Sequence, residues 1–128
     1  MRITYFISGH RNITQEEFDN NYVPVLKEAV QNGDAYFVVG DCIGADIMAQ
    51  NYLLDVLGID PRRITVYHMF TKPRNKNPKV YNLKGGFTTD SGRDLQMTKD
   101  SDCDIAFVRD EKKMSGTGEN ILRRNKLK

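Results

Sequence analysis

The sequence predicts an α/β domain in which a mostly parallel sheet of four or more strands lies between helices in a three-layer sandwich. Three observations predict it. Short apolar runs recur at 3–7, 35–39 and 64–69 without the in–out alternation of a strand that has one wet face. The first two stop at small residues, Ser8-Gly9 and Gly40, and are followed by segments with apolar residues every three or four positions. Strand and helix therefore alternate along the chain, the order that builds parallel sheets covered on both faces.

Each element has a local reason. Ile3 to Ile7 reads as a strand buried on both sides. Thr14-Gln15-Glu16-Glu17 is a capping-box sequence, and Phe18, Tyr22, Leu26 and Ala29 mark an amphipathic helix running to Gly33 with a kink at Pro24. Ala35 to Val39 is the second strand. After Gly40, the stripe Ala45, Met48, Ala49, Tyr52, Leu53 and Val56 predicts a helix ending at Gly58. Ile64 to Met69 is the third strand, Ser91 to Asp100 a short helix, Asp104 to Val108 a fourth strand, and Gly118 to the C-terminus a last helix.

Composition bounds the function. The 128 residues suit one domain, 1–128, burying roughly two-thirds of its unfolded surface. Nineteen Lys and Arg against seventeen Asp and Glu leave a net charge of +2, which argues against nucleic acid or an anionic membrane as partner. No apolar run is long enough to span a bilayer. Cys42 and Cys103 stand apart and the N-terminus lacks a signal-peptide pattern, so the expected setting is reducing and cytoplasmic. Two histidines and two cysteines, scattered, give no metal site, and no cofactor is expected.

Charge is unevenly placed. Segment 71–89 holds Lys72, Arg74, Lys76, Lys79 and Lys84 and no acid. It reads either as a solvated loop with a small hairpin at Gly85-Gly86 or as a cationic lid over an anionic ligand. The basic end, Arg123-Arg124-Asn125-Lys126-Leu127-Lys128, reads as complementation of a helix dipole rather than a nucleic-acid contact.

In an open parallel sheet, ligands bind at the carboxyl ends of the strands. Three segments there are rich in small residues: Ser8-Gly9-His10-Arg11-Asn12, Gly40-Asp41-Cys42-Ile43-Gly44-Ala45-Asp46, and Met114-Ser115-Gly116-Thr117-Gly118-Glu119-Asn120. Glycine permits close backbone approach, and hydroxyls add donors, so such turns cradle phosphate or sugar oxygens. Neither GxGxxG nor GxxxxGK[ST] is present, which argues against a dinucleotide dehydrogenase or an NTPase.

These turns, with Arg93-Asp94-x-x-Met97, resemble the SLOG superfamily of Rossmann-like proteins, which includes DprA and the LOG phosphoribohydrolases; nucleoside 2-deoxyribosyltransferases look like its near relatives. The likeness is greatest to small stand-alone members, in which the second strand leads into G-[GC]-x-x-G-A-D; here Asp41 replaces a small residue. The resemblance implies a pocket for a nucleotide, nucleoside or nucleotide-derived signal, bordered by Gly9 and Arg11, with Gly44 to Asp46 presenting a helix N-terminus. It implies a second anion cradle at Ser115, Gly116 and Thr117, and a homodimer or larger assembly. Arg93 is either a phosphate clamp or an ion-pair partner of Asp90 or Asp94.

For related hydrolases and transferases the resemblance implies a catalytic glutamate three residues after the Thr of a Gly-Thr motif. That position is Asn120, and an amide cannot act as a carboxylate nucleophile. Binding is therefore the leading expectation, with N-glycosidic hydrolysis or deoxyribosyl transfer through Glu119 or Asp46 the second and single-stranded DNA binding the third. His10 is a candidate acid or phosphate contact, His68 is structural, and Cys42 is a weak candidate nucleophile.

Overall fold

The computed structural model describes residues 2–109 together with Asn120, Ile121 and Arg124. Five strands form one parallel sheet: β1 (Ile3–Ile7), β2 (Ala35–Val39), β3 (Ile64–Met69), β4 (Leu83–Phe87) and β5 (Cys103–Ile105), in the order β4-β3-β2-β1-β5. The chain steps outward from β1 to β4 and then returns to place β5 on the other side of β1. The order therefore reverses at β1, and the crevice beyond its carboxyl end is the switch point where open α/β sheets hold ligands.

Side chains alternate across β1 and β2 and so divide the core. Ile7, Phe37 and Val39 pack with Phe18, Tyr22, Leu26, Ala45, Ala49 and Leu53 from the helices of one face. Phe6, Val38, Tyr67 and Met97 form a smaller core on the other, with Phe87 against it. Three layers result, and the second face is thin.

The first helical segment is two helices, α1 (Gln15–Asn21) and α2 (Val23–Gln31), rather than one kinked helix. Pro24 has no N–H to donate and sits in the first turn of α2, where none is needed. Thr14 caps α1 in both directions: its Oγ1 accepts from the Glu17 amide at 3.1 Å, and its own amide donates to Glu17 Oε1 at 3.0 Å. The second stripe forms α3 (Ala45–Asn51) and continues as a wider π-type turn, Tyr52–Val56, closed by the Leu57 amide on the Tyr52 carbonyl and followed by Gly58 at φ 65°. α4 (Asp90–Lys99) starts at Thr89, whose Oγ1 accepts from the Gly92 amide.

Two expectations are corrected. β5 ends at Ile105 rather than Val108, because the Phe107 amide turns away to donate to the Tyr22 hydroxyl at 3.1 Å. Segment 71–89 is neither hairpin nor free loop: its second half is β4, a parallel edge strand. Gly85 lies against His68 so closely that a Cβ would meet the imidazole at 2.1 Å, so only glycine fits there. Of the expected last helix, Asn120, Ile121 and Arg124 are described and helical. No helix among the described residues is long and apolar enough to cross a membrane.

Candidate functional site at the carboxyl edge

A pocket of about 380 Å³ opens at the switch point. Ser8 to Arg11 line it after β1, Gly40, Cys42 and Asp46 after β2, and Asp90, Arg93, Asp94 and Met97 from α4, with Phe6 and Asn120 completing the wall. Of the residues predicted from sequence, Ser8, Gly9, His10, Arg11, Gly40, Asp46, Arg93, Asp94 and Asn120 meet here. Asp41, Gly44 and Ala45 do not line the pocket, while Ser115, Gly116, Thr117 and Glu119 lie outside the described residues.

The glycines are required by packing. A Cβ on Gly9 would come within 2.2 Å of the Tyr22 hydroxyl, and one on Gly40 within 2.6 Å of Asp46 Oδ2. Gly44 combines φ 82° with a chain crossing: its Cβ would lie 2.4 Å from the Arg11 carbonyl oxygen. Here the helix N-terminus expected to face a ligand faces the chain itself. The Ala45 amide donates to the His10 carbonyl at 3.1 Å, and Gly44 is packed against Arg11.

Of the two roles open to it, Arg93 takes up ion pairs with Asp90 and Asp94, and with Asp41 as well. Its side chain is only 5% exposed, and it pairs with Asp41 at 2.8 Å, Asp94 at 2.9 Å and Asp90 at 3.3 Å. Arg74 pairs with Asp41 at 2.8 Å and with Asp90 at 2.9 Å, and Arg11 reaches Asp90 at 3.2 Å. Three guanidiniums thus meet three carboxylates in one network. Drawing Arg93 onto a phosphate would leave the fully buried Asp41 short of a partner, a costly exchange. Burial pushes the Asp41 carboxyl up, but the Arg74 hydrogen bonds and the Arg74 and Arg93 charges outweigh it and hold the group below its ordinary value. The replacement of a small residue by Asp41 has its physical reason in these two arginines.

The cations of segment 71–89 are engaged in the same way. Besides Arg74, Lys79 pairs with Asp55 and Lys84 with Asp100, while Lys76 donates to the Asn77 and Val80 carbonyls. Of the five cations only Lys72 has no ion pair or hydrogen bond among the described residues. The segment is a strap tied down by its charges.

Tyr22, read from sequence only as a core position, ties the two strands that flank the crevice. Its hydroxyl donates to the Ser8 carbonyl at 2.6 Å and accepts from the Phe107 amide; burial holds the phenol well above its ordinary pKa. His10 is half-buried and its ring stands edge-on to Phe107. The Arg109 amide donates to His10 Nε2 at 2.9 Å, so that nitrogen is an acceptor and the proton sits on Nδ1. Arg109 is in turn held by Glu17 at 2.6 Å.

Asn120 donates to Asp94 Oδ2 at 3.1 Å. The pocket's carboxylates therefore come from Asp46, Asp90 and Asp94, with an amide at position 120. Burial raises the Asp46 carboxyl to about 7 against the opposing charge of Arg93, so it exchanges a proton near neutrality. Cys42 Sγ lies 3.5 Å from Arg74 Nη2 and 3.6 Å from Arg93 Nη1. Arg124 is 9% exposed and bonded to Asp104 and to the Thr98 and Ser101 carbonyls, so it staples α4 to β5 instead of projecting as part of a basic tail. Among the described residues no cluster of His, Cys, Asp and Glu could hold a metal ion.

The parallel sheet, the strand order and the carboxyl-edge pocket define a Rossmann-like α/β fold. A solved structure of DNA processing protein A from Helicobacter pylori, studied for its single-stranded DNA binding mode, shares this DprA-like fold with a TM-score of 0.65 and 18% identity, covering 97% of this chain. This chain spans 61% of that protein's length. No protein-family model and no curated protein sequence matches the chain. The expectation that net charge argues against nucleic acid is overturned: a protein of this fold binds single-stranded DNA. Single-strand binding combines base stacking with a few phosphate contacts, which a chain-wide charge of +2 does not preclude.

Proposed function

We propose that this chain, as a small SLOG-related protein, binds single-stranded DNA at the carboxyl edge of its sheet, with one nucleoside unit in the pocket and the phosphates outside it. The observation that carries the reading is the neutral ion-pair network forming one side of a pocket at the switch point. It disfavours a phosphate inside and leaves room for an uncharged base and sugar. At the rim, the Arg11 side chain lines the pocket yet stays 59% exposed, and Lys72 is exposed on the strap; both offer charge to a phosphate. The single-stranded DNA binding of a protein with the same fold supports the reading.

A second reading, capture of a free nucleotide, nucleoside or nucleotide-derived signal, is favoured by the pocket's volume, which suits a small-molecule ligand. Fluorescence anisotropy with a labelled oligodeoxynucleotide of about 12 residues separates the two. Strand binding predicts saturable binding that mononucleotides displace only weakly, with a shallow dependence of log K on log salt, of slope about −1 to −2 for roughly two phosphates. Displacement by equimolar mononucleotide would favour the second reading, and no oligonucleotide binding would refute the first.

A further inference from the structure

The three carboxylates that line the pocket differ in what occupies their oxygens. Asp90 and Asp94 have both oxygens engaged, Asp90 by Arg11 and Arg74, Asp94 by Arg93 and Asn120. Asp46 has one. Its Oδ2 accepts from the Cys42 amide at 3.1 Å, while Oδ1 has no hydrogen bond among the described residues. The residue is only 6% exposed, yet no fully buried side-chain oxygen among the described residues lacks a partner, so Oδ1 retains access to solvent. Asp46 lines the pocket, and that solvent is the pocket's.

A single DNA strand offers few donors to such an oxygen. Deoxyribose within a strand has no free hydroxyl, so donors come from the bases. The ring N–H of uracil or thymine lies between two carbonyls that a carboxylate repels, whereas the exocyclic amine of cytosine or adenine projects at an edge. Phe6 and Met97, each about 1% exposed, make the apolar part of the pocket's lining.

We propose that Asp46 Oδ1 accepts a hydrogen bond from the exocyclic amine of a base seated in the pocket, so that the site selects cytosine and adenine over uracil and thymine. This rests on the pocket taking the nucleoside portion of its ligand. Asp46 is then a specificity-determining residue. Asparagine at this position, keeping its carbonyl on the Cys42 amide, would turn an NH2 into the pocket and favour the C4 carbonyl of uracil.

The test is binding of oligodeoxycytidine and oligodeoxyuridine of equal length, whose bases differ at C4 and N3, to the full chain and to Asp46→Asn. The wild type should bind the cytidine oligomer about tenfold more tightly, the usual effect of a charge-assisted hydrogen bond. In Asp46→Asn the ratio of cytidine-oligomer to uridine-oligomer affinity should fall to about one or invert. Equal wild-type affinities, or a cytidine preference that survives in the variant, would overturn the assignment.

Should the variant not fold, the wild-type ratio at pH 6 and pH 8 decides. The charges of Arg93 and Asp94 from α4 and of Asp41 from the turn after β2 act on Asp46, with the Cys42 amide bonded to it and the Tyr22 phenol near it, and His10 and Asp90 line the same pocket. With a carboxyl that titrates near 7, the cytidine preference should grow with pH as Oδ1 loses its proton, and a flat ratio would count against the proposal. If neither oligomer binds, the strand-binding reading is what fails. The base assignment is then decided by thermal shifts with deoxycytidine and deoxyuridine: a larger shift with deoxycytidine sustains it, and equal shifts or none overturn it.

Discussion

Asp46 concentrates the tension between folding and function at the scale of a single residue. Its carboxyl titrates near 7 in the folded protein because burial outweighs the Arg93 charge, against an ordinary value of 3.8. A carboxyl whose pKa is raised on folding binds its proton more tightly in the native state. Its contribution to stability is therefore complete below about pH 4 and is lost progressively as pH rises towards 7. The whole difference is about 4 kcal/mol as an upper figure, from about three units at 1.4 kcal/mol each. Asp46→Asn should remove most of this slope, so that chemical denaturation at pH 5 and pH 8 gives a smaller stability difference in the variant than in the wild type.

Other residues show what a sequence hides at this scale. The glycines after β1 and β2 were legible as close-approach positions, but their reasons, Tyr22 against Gly9 and the Arg11 carbonyl against Gly44, are tertiary. Arg93 offered two roles, and its chief buried partner, Asp41, lies 52 positions away, where local spacing cannot find it. Arg74, Lys79 and Lys84 looked unpaired for the same reason: Asp41, Asp55, Asp90 and Asp100 all belong to other segments.

Elements with strong periodicity matched their expected places. β1, β2 and β3 fall on the three apolar runs, and α4 begins one residue before the expected Ser91. β4 was missed because Leu-Lys-Gly-Gly-Phe has two glycines, no β-branched residue and no alternation. It is a strand because β3 offers it an edge and His68 admits only a glycine opposite. The single expected helix at 14–33 splits because Pro24 starts a new helix more readily than it bends an old one. α4 covers its face of the sheet through a core of few residues, in which Met97 is 1% exposed against Phe6, Val38 and Tyr67. Met97→Ala should cost about 2–5 kcal/mol in urea denaturation. It should also weaken ligand binding, because α4 carries Arg93 and Asp94. A loss below about 0.5 kcal/mol would show that this face is not a packed core.

For the whole molecule, the strand order explains why the turns after β1 and β2 and the helix α4, distant in sequence, converge. Returning the chain across the sheet to place β5 beside β1 opens a crevice at the carboxyl ends, and α4, which makes that return, forms one wall of it. The ion-pair network beside the pocket balances its own charges and leaves Arg11 and Lys72 exposed, so a chain-wide charge of +2 does not by itself exclude a single strand. The most direct measurement is a titration of isotope-labelled protein with a short single-stranded oligodeoxynucleotide, followed by amide chemical shifts. The account predicts changes concentrated at Ser8 to Arg11, Gly40 to Cys42 and Asp90 to Met97, with Leu83 to Phe87 and the exposed face of α1 and α2 unmoved. Changes centred on that edge strand or on those helices, or none at saturating oligonucleotide, would contradict it.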